Sequence, residues 1–275
     1  MRLTDKLHDP TLDHPLIMGI LNVTPDSFSD GGKFNSMDAI KRQVEKMSNA
    51  GADIVDIGGE STRPGAKIVS LQEELDRVLP AIEAVKAVSD AYISIDTYKP
   101  EVMKESTKLT IDMINDVNAL QADGAIEIVR ESGVMACLMH KQGMPKDMQH
   151  SPEYKEGVFE DVYQFLSRQS AHCLEAGIQP ENIVIDPGFG FGKKLHHNIE
   201  LFENLEGFSE LQYPLLVGVS RKTMIGELLG GVPVEERVVG SVSAAVLATL
   251  KGAKVLRVHD VKETMQAMKV AMALL

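Results

Sequence analysis

Polar side chains recur at one kind of place in this sequence, the point where a short apolar run gives way to a loop. Asn22, Asp56, Asp96, Asn115, His140, Asp186, Lys222, and Arg257 with His259 all stand there. A single Asp or Asn at such a place is more readily explained as a cap or turn residue. The set is not, because caps need no particular mixture and this one combines carboxylates, carboxamides and cations. Asp96, Asn115 and Asp186 offer several acceptors and an amide donor, which suits a flat heterocycle with N–H and amino groups along one edge. Lys222, Arg257 and His259 offer cationic donors, as phosphate recognition requires. Arg257 lies inside an apolar run, where ordinary surface solvation explains it poorly. The mixture points to a ligand with two halves.

The stretch 183–193 shows the pattern in its densest form. An apolar run ends in Asp186, Pro187 breaks the strand, and Gly188, Gly190 and Gly192 alternate with Phe189 and Phe191 before Lys193. Such a segment reads as a buried strand that hands its last carboxylate to a loop. Two other loops stand apart. Residues 23–35 are polar, carry Phe28 and Asp30, and end near a Gly-Gly pair. Residues 58–70 contain Ser61, Thr62, Arg63, Pro64 and Gly65. Long irregular loops in compact domains are commonly functional, and glycines let them move, so both are expected to be mobile lids. The sequence has no Walker A motif, no dinucleotide fingerprint at the first strand, no HExxH and no Ser-His-Asp order.

The elements that must position these residues alternate. Strands are predicted at 16–22, 53–57, 92–96, 111–114, 134–139, 183–185, 215–219 and 254–258. Between them run helical patterns: from a cap at Ser36 to Gly51, 71–89 with a kink or break expected at Pro80, one opening at Pro100, 124–132, 153–176, 198–205, 235–250, and a terminal helix after Asp260. Residues 1–15 read as a polar lead-in. About eight strand–loop–helix units in one chain predict a parallel sheet covered by helices, and the count is that of a single-domain (β/α)8 TIM barrel spanning 1–275. An open doubly wound sheet is the alternative.

Composition narrows the function. The chain has 275 residues, 44% hydrophobic and 25% charged, as in an ordinary globular protein. A net charge of −12 argues against a nucleic-acid or anionic-membrane surface while leaving room for a local basic pocket. Cys137 and Cys173 are the two cysteines, without CxxC spacing, so no zinc site or disulfide framework is expected and Cys137 reads as a small buried hydrophobe. No apolar run approaches a membrane span and the first residues lack an apolar signal core; the expected location is the cytoplasm.

At its motifs the chain resembles the bacterial dihydropteroate synthase family. The resembling stretches are 18–32, 56–66, 94–97, 114–117, 186–193, 220–222 and 257–260, in family order over nearly the whole chain. The resemblance implies that p-aminobenzoate displaces pyrophosphate from 6-hydroxymethyl-7,8-dihydropterin pyrophosphate, giving 7,8-dihydropteroate. It implies that Asp96, Asn115, Asp186 and Lys222 bind the pterin and that Asn22 contacts Mg2+. Thr62, Arg63, Arg257 and His259 would surround the pyrophosphate, and Phe28, Pro64, Phe191 and Thr223 would frame p-aminobenzoate. The family pattern carries serine where this chain has Thr223. Asp30, Arg63, Asp96 and Lys222 are then the expected catalytic set. Sulfonamides are expected as inhibitors and a homodimer as the assembly. The alternative within the same pterin-binding architecture is a methyltetrahydrofolate–corrinoid methyltransferase, which needs no pyrophosphate site.

Overall fold

The computed structural model describes residues 1–12, 14–24, 33–61, 68–143 and 152–274, and for 33–36 the backbone alone. Eight parallel strands close into a barrel in sequence order: β1 (Leu16–Asn22), β2 (Ile54–Gly58), β3 (Tyr92–Asp96), β4 (Met113–Asp116), β5 (Met135–Met139), β6 (Ile183–Asp186), β7 (Leu215–Val217) and β8 (Ala253–Val258), with β8 pairing back to β1. The helices are α1 (Leu3–Leu7), α2 (Lys33–Asn49), α3 (Leu71–Val88), α4 (Pro100–Thr107), α5 (Ala125–Ser132), α6 (Val158–Glu175), α7 (Leu195–Glu203), α8 (Thr223–Leu228), α9 (Val238–Leu250) and α10 (Val261–Leu274). The chain is a TIM barrel, as its alternating pattern predicts.

Two apolar cores follow from the period of two along each strand. Outward residues such as Ile17, Val55, Ile57, Ile95 and Leu256 pack against helix residues Val44, Met47, Val78, Ile82 and Val85. Inward residues Leu16, Met18, Ile54, Met113, Met135, Cys137, Val184, Leu216 and Val255 fill the barrel. Cys137 is buried there, as expected.

The differences from the expected elements have local causes. The opening segment is more than a polar lead-in: α1 buries Leu3 and Leu7 in the inner core, plugging the end of the barrel opposite the strand C-termini. α2 opens at Lys33, so Ser36 lies within it and is not its cap; serine costs little inside a helix. α3 continues through Pro80 without a break. Pro80 is exposed while Val78, Ala81, Ile82 and Val85 are buried around it, so the lost hydrogen bond falls where water can replace it and packing holds the helix. At its start Ser70 and Glu73 form a reciprocal capping box. α6 begins at Val158, later than expected, because Gly157 has φ +97°, incompatible with a helix interior. α8 has six residues, too short for a periodic signal to reveal, and was not predicted.

The α1 plug makes a stability prediction. Leu7→Ala should lower the unfolding free energy by about 2–4 kcal/mol through lost burial and a residual cavity. Urea unfolding checks it, and a change under ~0.5 kcal/mol would mean α1 is not part of the folded core.

Candidate active site

Strand parity decides which polar residues meet. Residues two apart face the same way, so the inward set that begins with Met18, Ile54, Tyr92, Met113, Val184 and Val255 continues into Asn22, Asp56, Asp96, Asn115, Asp186 and Arg257 toward the C-terminal mouth. Register aligns four positions in one row: Asn22 pairs with Gly58, Gly58 with Asp96, and Asp96 with Asn115. A Cβ built on Gly58 would lie 3.5 Å from Asn22 Oδ1 and 3.7 Å from Asp96 Oδ2, so both oxygens look across the same gap.

His140 has the opposite parity, and the expectation that the strand-end set enters the mouth fails for it; Asp116 shares that parity. Asp116 organises its own loop, its oxygens accepting from the amides of Asn118 at 2.7 Å and Leu120 at 2.8 Å. His140 is buried outside the barrel, with Phe165 edge-on to its ring at 5.0 Å between centroids.

Arg257 is the hub. It pairs in register with Met18, itself aligned with Ile54, so its backbone sits one inward step below Asp56. Its long side chain reaches up to donate from Nε to Asp56 Oδ2 at 2.6 Å and from Nη2 to Asp96 Oδ2 at 2.7 Å. Asp56 is further held by Ser94 Oγ at 2.6 Å and Asn115 Nδ2 at 3.2 Å. Arg257 is therefore not a free cation awaiting an anion; two of its five N–H donors are engaged by carboxylates. Asp96 Oδ1 is buried and has no hydrogen-bond partner among the described residues. Such an acceptor is costly unless something donates to it.

The other side of the mouth comes from β6, β7 and β8. Asp186 Oδ1 accepts from Gly188 N at 2.7 Å. Lys222 precedes α8; its Nζ donates to Phe189 O at 2.5 Å and lies 4.7 Å from the centre of the Phe191 ring. Phe189 itself is core, fully buried against Phe202, whereas Phe191 is half-buried beside the lysine. Thr223 is the exposed first residue of α8. Ser220 Oγ accepts from His259 N at 3.1 Å and lies 3.1 Å from His259 Nδ1. A bidentate pair, Arg221 Nε to Asp260 Oδ2 at 2.8 Å and Nη2 to Oδ1 at 2.5 Å, ties the β7 and β8 loops together.

Asp30, Phe28, Thr62, Arg63 and Pro64 lie outside the described residues. The ends of the loop bearing Thr62 are nonetheless anchored. Lys99 Nζ binds Glu60 Oε2 and Glu74 Oε2, each at 2.5 Å, and Val69 O at 2.8 Å. Sequence reasoning missed this anchor, and it gave Asp56 no role. Asp56 and Ser94 carry a usable signal, since each is a polar residue on the inward parity of an apolar strand.

Burial shapes the charges. It raises the Asp96 pKa to about 7; Arg257 opposes the shift, while Asp56, Asp116 and Glu74 add to it. Burial likewise raises Asp186, against the pull of Lys222, the Gly188 amide, Lys193 and Arg257. It lowers Lys222 to about 8, with Asp186 and Asp96 opposing and Arg257 adding. Burial also works against the Arg257 charge, but Asp56 and Asp96 more than offset it and its pKa is raised. The mouth thus presents a wall of acceptors on one side and clustered cations on the other, with proton affinities poised near neutrality.

Known proteins resemble the chain in sequence and in fold. A family profile described as pterin binding enzyme matches residues 18–259. The dihydropteroate synthase of Escherichia coli is 53% identical over 265 residues, 96% of this chain and 93% of that one. That of Haemophilus influenzae is 51% identical over 94% of each chain. Among solved structures, the Yersinia pestis dihydropteroate synthase in a sulfonamide drug complex superposes with a TM-score of 0.89 at 50% identity, covering 96% of this chain and 95% of that one. The Xanthomonas albilineans enzyme with 4-aminobenzoic acid gives 0.90 at 45%, covering 96% and 94%. The chain belongs to the dihydropteroate synthase family of pterin binding enzymes.

Proposed function

We propose that this protein, as one domain over residues 1–275, condenses 6-hydroxymethyl-7,8-dihydropterin pyrophosphate with p-aminobenzoate to give 7,8-dihydropteroate and pyrophosphate. The observation that carries this reading is the buried Asp96 Oδ1, an acceptor at the C-terminal end of β3 without a described partner, beside a guanidinium in a chain about half identical to enzymes named for this reaction. Asp96, Asn115, Asp186 and Lys222 take the pterin edge. Arg257 and His259, with Thr62 and Arg63, take the pyrophosphate. Phe191 and Thr223, with Phe28 and Pro64, frame p-aminobenzoate, and sulfonamides compete there. A corrinoid methyltransferase would leave the cationic cluster without a task.

The chemistry needs little activation of the incoming amine. The electron-rich ring supports a cation at its exocyclic methylene as the carbon–oxygen bond breaks and its electron pair leaves with pyrophosphate. The aniline nitrogen then forms the carbon–nitrogen bond and gives up its proton. Asp96, held on one oxygen by Arg257, faces that positive charge with the other oxygen, and Asp30 would add a second carboxylate from its loop. Arg257 and His259 stabilise charge on the departing group as fixed positive groups. Exclusion of water protects the cation from capture.

The donor set fits Mg2+ as an ion shared with substrate. No cluster of three or more His, Cys, Asp or Glu residues exists among the described residues. Asn22 supplies one hard oxygen at the mouth, and Mg2+ characteristically completes its shell with water and phosphate oxygens. Bound there, it would neutralise charge on the pyrophosphate leaving group.

No helix among the described residues is long and apolar enough to cross a membrane, and we place the protein in the cytoplasm. We also propose a homodimer. Val239 and Leu247 of α9 and Val270 and Leu274 of α10 are each more than half exposed, and α9 and α10 pack side by side, exposed apolar residues of the kind a second copy covers.

The central test is pyrophosphate release from the pterin substrate, with and without p-aminobenzoate and Mg2+. Sustained turnover should need both, whereas a single-turnover burst should occur without the amine; strict dependence of that burst on bound amine would sink the dissociative mechanism. Because Asp96 ionises near 7, kcat/KM for the pterin substrate should rise with pH through about 7. Arg257→Met should move that limb to higher pH, since the cation favouring ionised Asp96 is gone, and weaken inorganic pyrophosphate roughly tenfold or more. An unmoved limb would contradict the pairing. Sedimentation should give a dimer, and Leu247→Glu a monomer; a wild-type monomer would refute the assembly.

A further inference from the structure

Lys193 is an internal lysine, 2% exposed, that the reaction described above does not use. Its Nζ lies 2.9 Å from His140 Nδ1, 2.8 Å from Gly188 O and 3.2 Å from Phe191 O, with His140 O more distant at 3.5 Å. An ammonium has three N–H donors, and three acceptors at good distance surround this one. The side chain therefore closes residues 188–193 into a ring around its own charge and joins that ring to His140, the residue that follows β5.

The ring has no slack. Gly188 has φ +70°, and a Cβ there would fall 1.8 Å from His140 O; Gly192 has φ +67°, and a Cβ there would fall 2.3 Å from Gln142 O. Tyr154 OH donates to Gly192 O at 2.7 Å, and Asn198 Oδ1 accepts from Gly190 N at 2.8 Å. The same few residues hold the ligand-facing groups. Gly188 N orients Asp186, Phe189 O receives Lys222, and Phe191 lies under Lys222.

We propose that Lys193 is a positioning residue of the pterin site, an ammonium that fixes the Asp186 loop against a neutral His140 and whose charge keeps the Asp186 carboxylate ionised and aimed into the mouth. Asp186 is faced by Lys222 from the β7 loop, Arg257 from β8, Cys137 from β5 and Lys193 from its own loop. Of the three cations, Lys222 and Arg257 belong to the ligand side and redistribute their contacts when substrate arrives. Lys193 is sealed behind the loop, its contacts made by the loop itself and by His140. Burial lowers the Lys193 pKa well below its ordinary value, with Lys222 adding to the shift and the Asp186 charge opposing it; burial and the neighbouring lysine both favour neutral His140. The two buried groups are mutually consistent when the lysine carries the proton and the imidazole Nδ1 accepts. The role assigned to Lys193 rests on the reading of Asp186 as a pterin ligand.

Two measurements test it. In 15N-histidine NMR of the unliganded protein, His140 should carry its proton on Nε2 and remain neutral well below pH 6.5, the ordinary histidine midpoint. A proton on Nδ1 would make Lys193 an amine that accepts it, and would overturn the proposal without any variant being made. In calorimetry with 6-hydroxymethylpterin alone, Lys193→Met should weaken binding about tenfold or more near pH ~6 and less near pH ~8, because the acid limb moves upward when the carboxylate loses a neighbouring cation. Equal losses at both pH values, the signature of damaged packing alone, would overturn it. Should that variant not fold, Lys193→Arg keeps the charge and should keep the wild-type limb; a limb that shifts in Lys193→Arg would overturn it too. Wild-type protein that binds no pterin would refute the reading of Asp186, whereas normal wild-type binding with an unaltered Lys193→Met would refute only the present proposal.

Discussion

One guanidinium shared by two carboxylates inside the barrel is the constraint on which the mouth depends. Arg257, Asp56 and Asp96 come from β8, β2 and β3, and no two are close in sequence. Taking three charges out of water costs several kcal/mol per ion, and their mutual attraction at best offsets it. The triad is therefore not a source of stability. Its effect is geometric: it fixes which oxygen of Asp96 is spent and which is left for a ligand. The Ser94 and Asn115 contacts to Asp56 extend that order by one more layer. Removing one member would strand buried charge, so the group behaves as a unit.

The barrel supplies the conditions for such a triad. Period-two strands give each inward side chain a fixed height, and a closed sheet turns heights into neighbours. The lower heights hold Met18, Ile54, Met113 and Val184, sealed below by Leu3 and Leu7. The upper heights hold the polar set. Apolar packing below and charge above are two ends of one filled cylinder, and burial at its upper end is what raises the Asp96 pKa.

Much of this is legible in the sequence. The eight-unit rhythm gives the barrel, and a polar residue at the close of an apolar run gives the mouth. Asn22, Asp96, Asn115, Asp186 and Arg257 are found that way. Parity, applied residue by residue, would also have removed His140 and brought in Ser94. What is not legible has physical reasons. α8 is shorter than any periodic signal, and α1 reads as polar because only two of its residues are buried. Pro80 breaks helices in isolation, but tertiary packing around it overrides the local preference. Arg257 looks like an anion donor by type, and only the structure shows that carboxylates already hold it. Lys193 has no local signal at all, since nothing in a glycine-rich loop announces that its last side chain folds back under it.

The shared guanidinium also links the two halves of the proposed ligand. On the proposed reaction, a pyrophosphate that takes up the remaining N–H donors of Arg257 shares its single charge with Asp56 and Asp96, which weakens both carboxylate bonds. Weakening the bond to Asp96 leaves that carboxylate with less compensation, and its remaining need is met best by a cation or by N–H donors of the ring. The anion side therefore strengthens the demand on the ring side at the moment charge separates between them. On that reading, once pyrophosphate departs the Arg257 charge is again shared by the two carboxylates alone, and the acceptor wall loses part of its hold on a product that is no longer cationic. On the proposed reaction, one buried arginine thus favours charge separation in the bound substrate and release afterwards, without a moving element in the barrel itself.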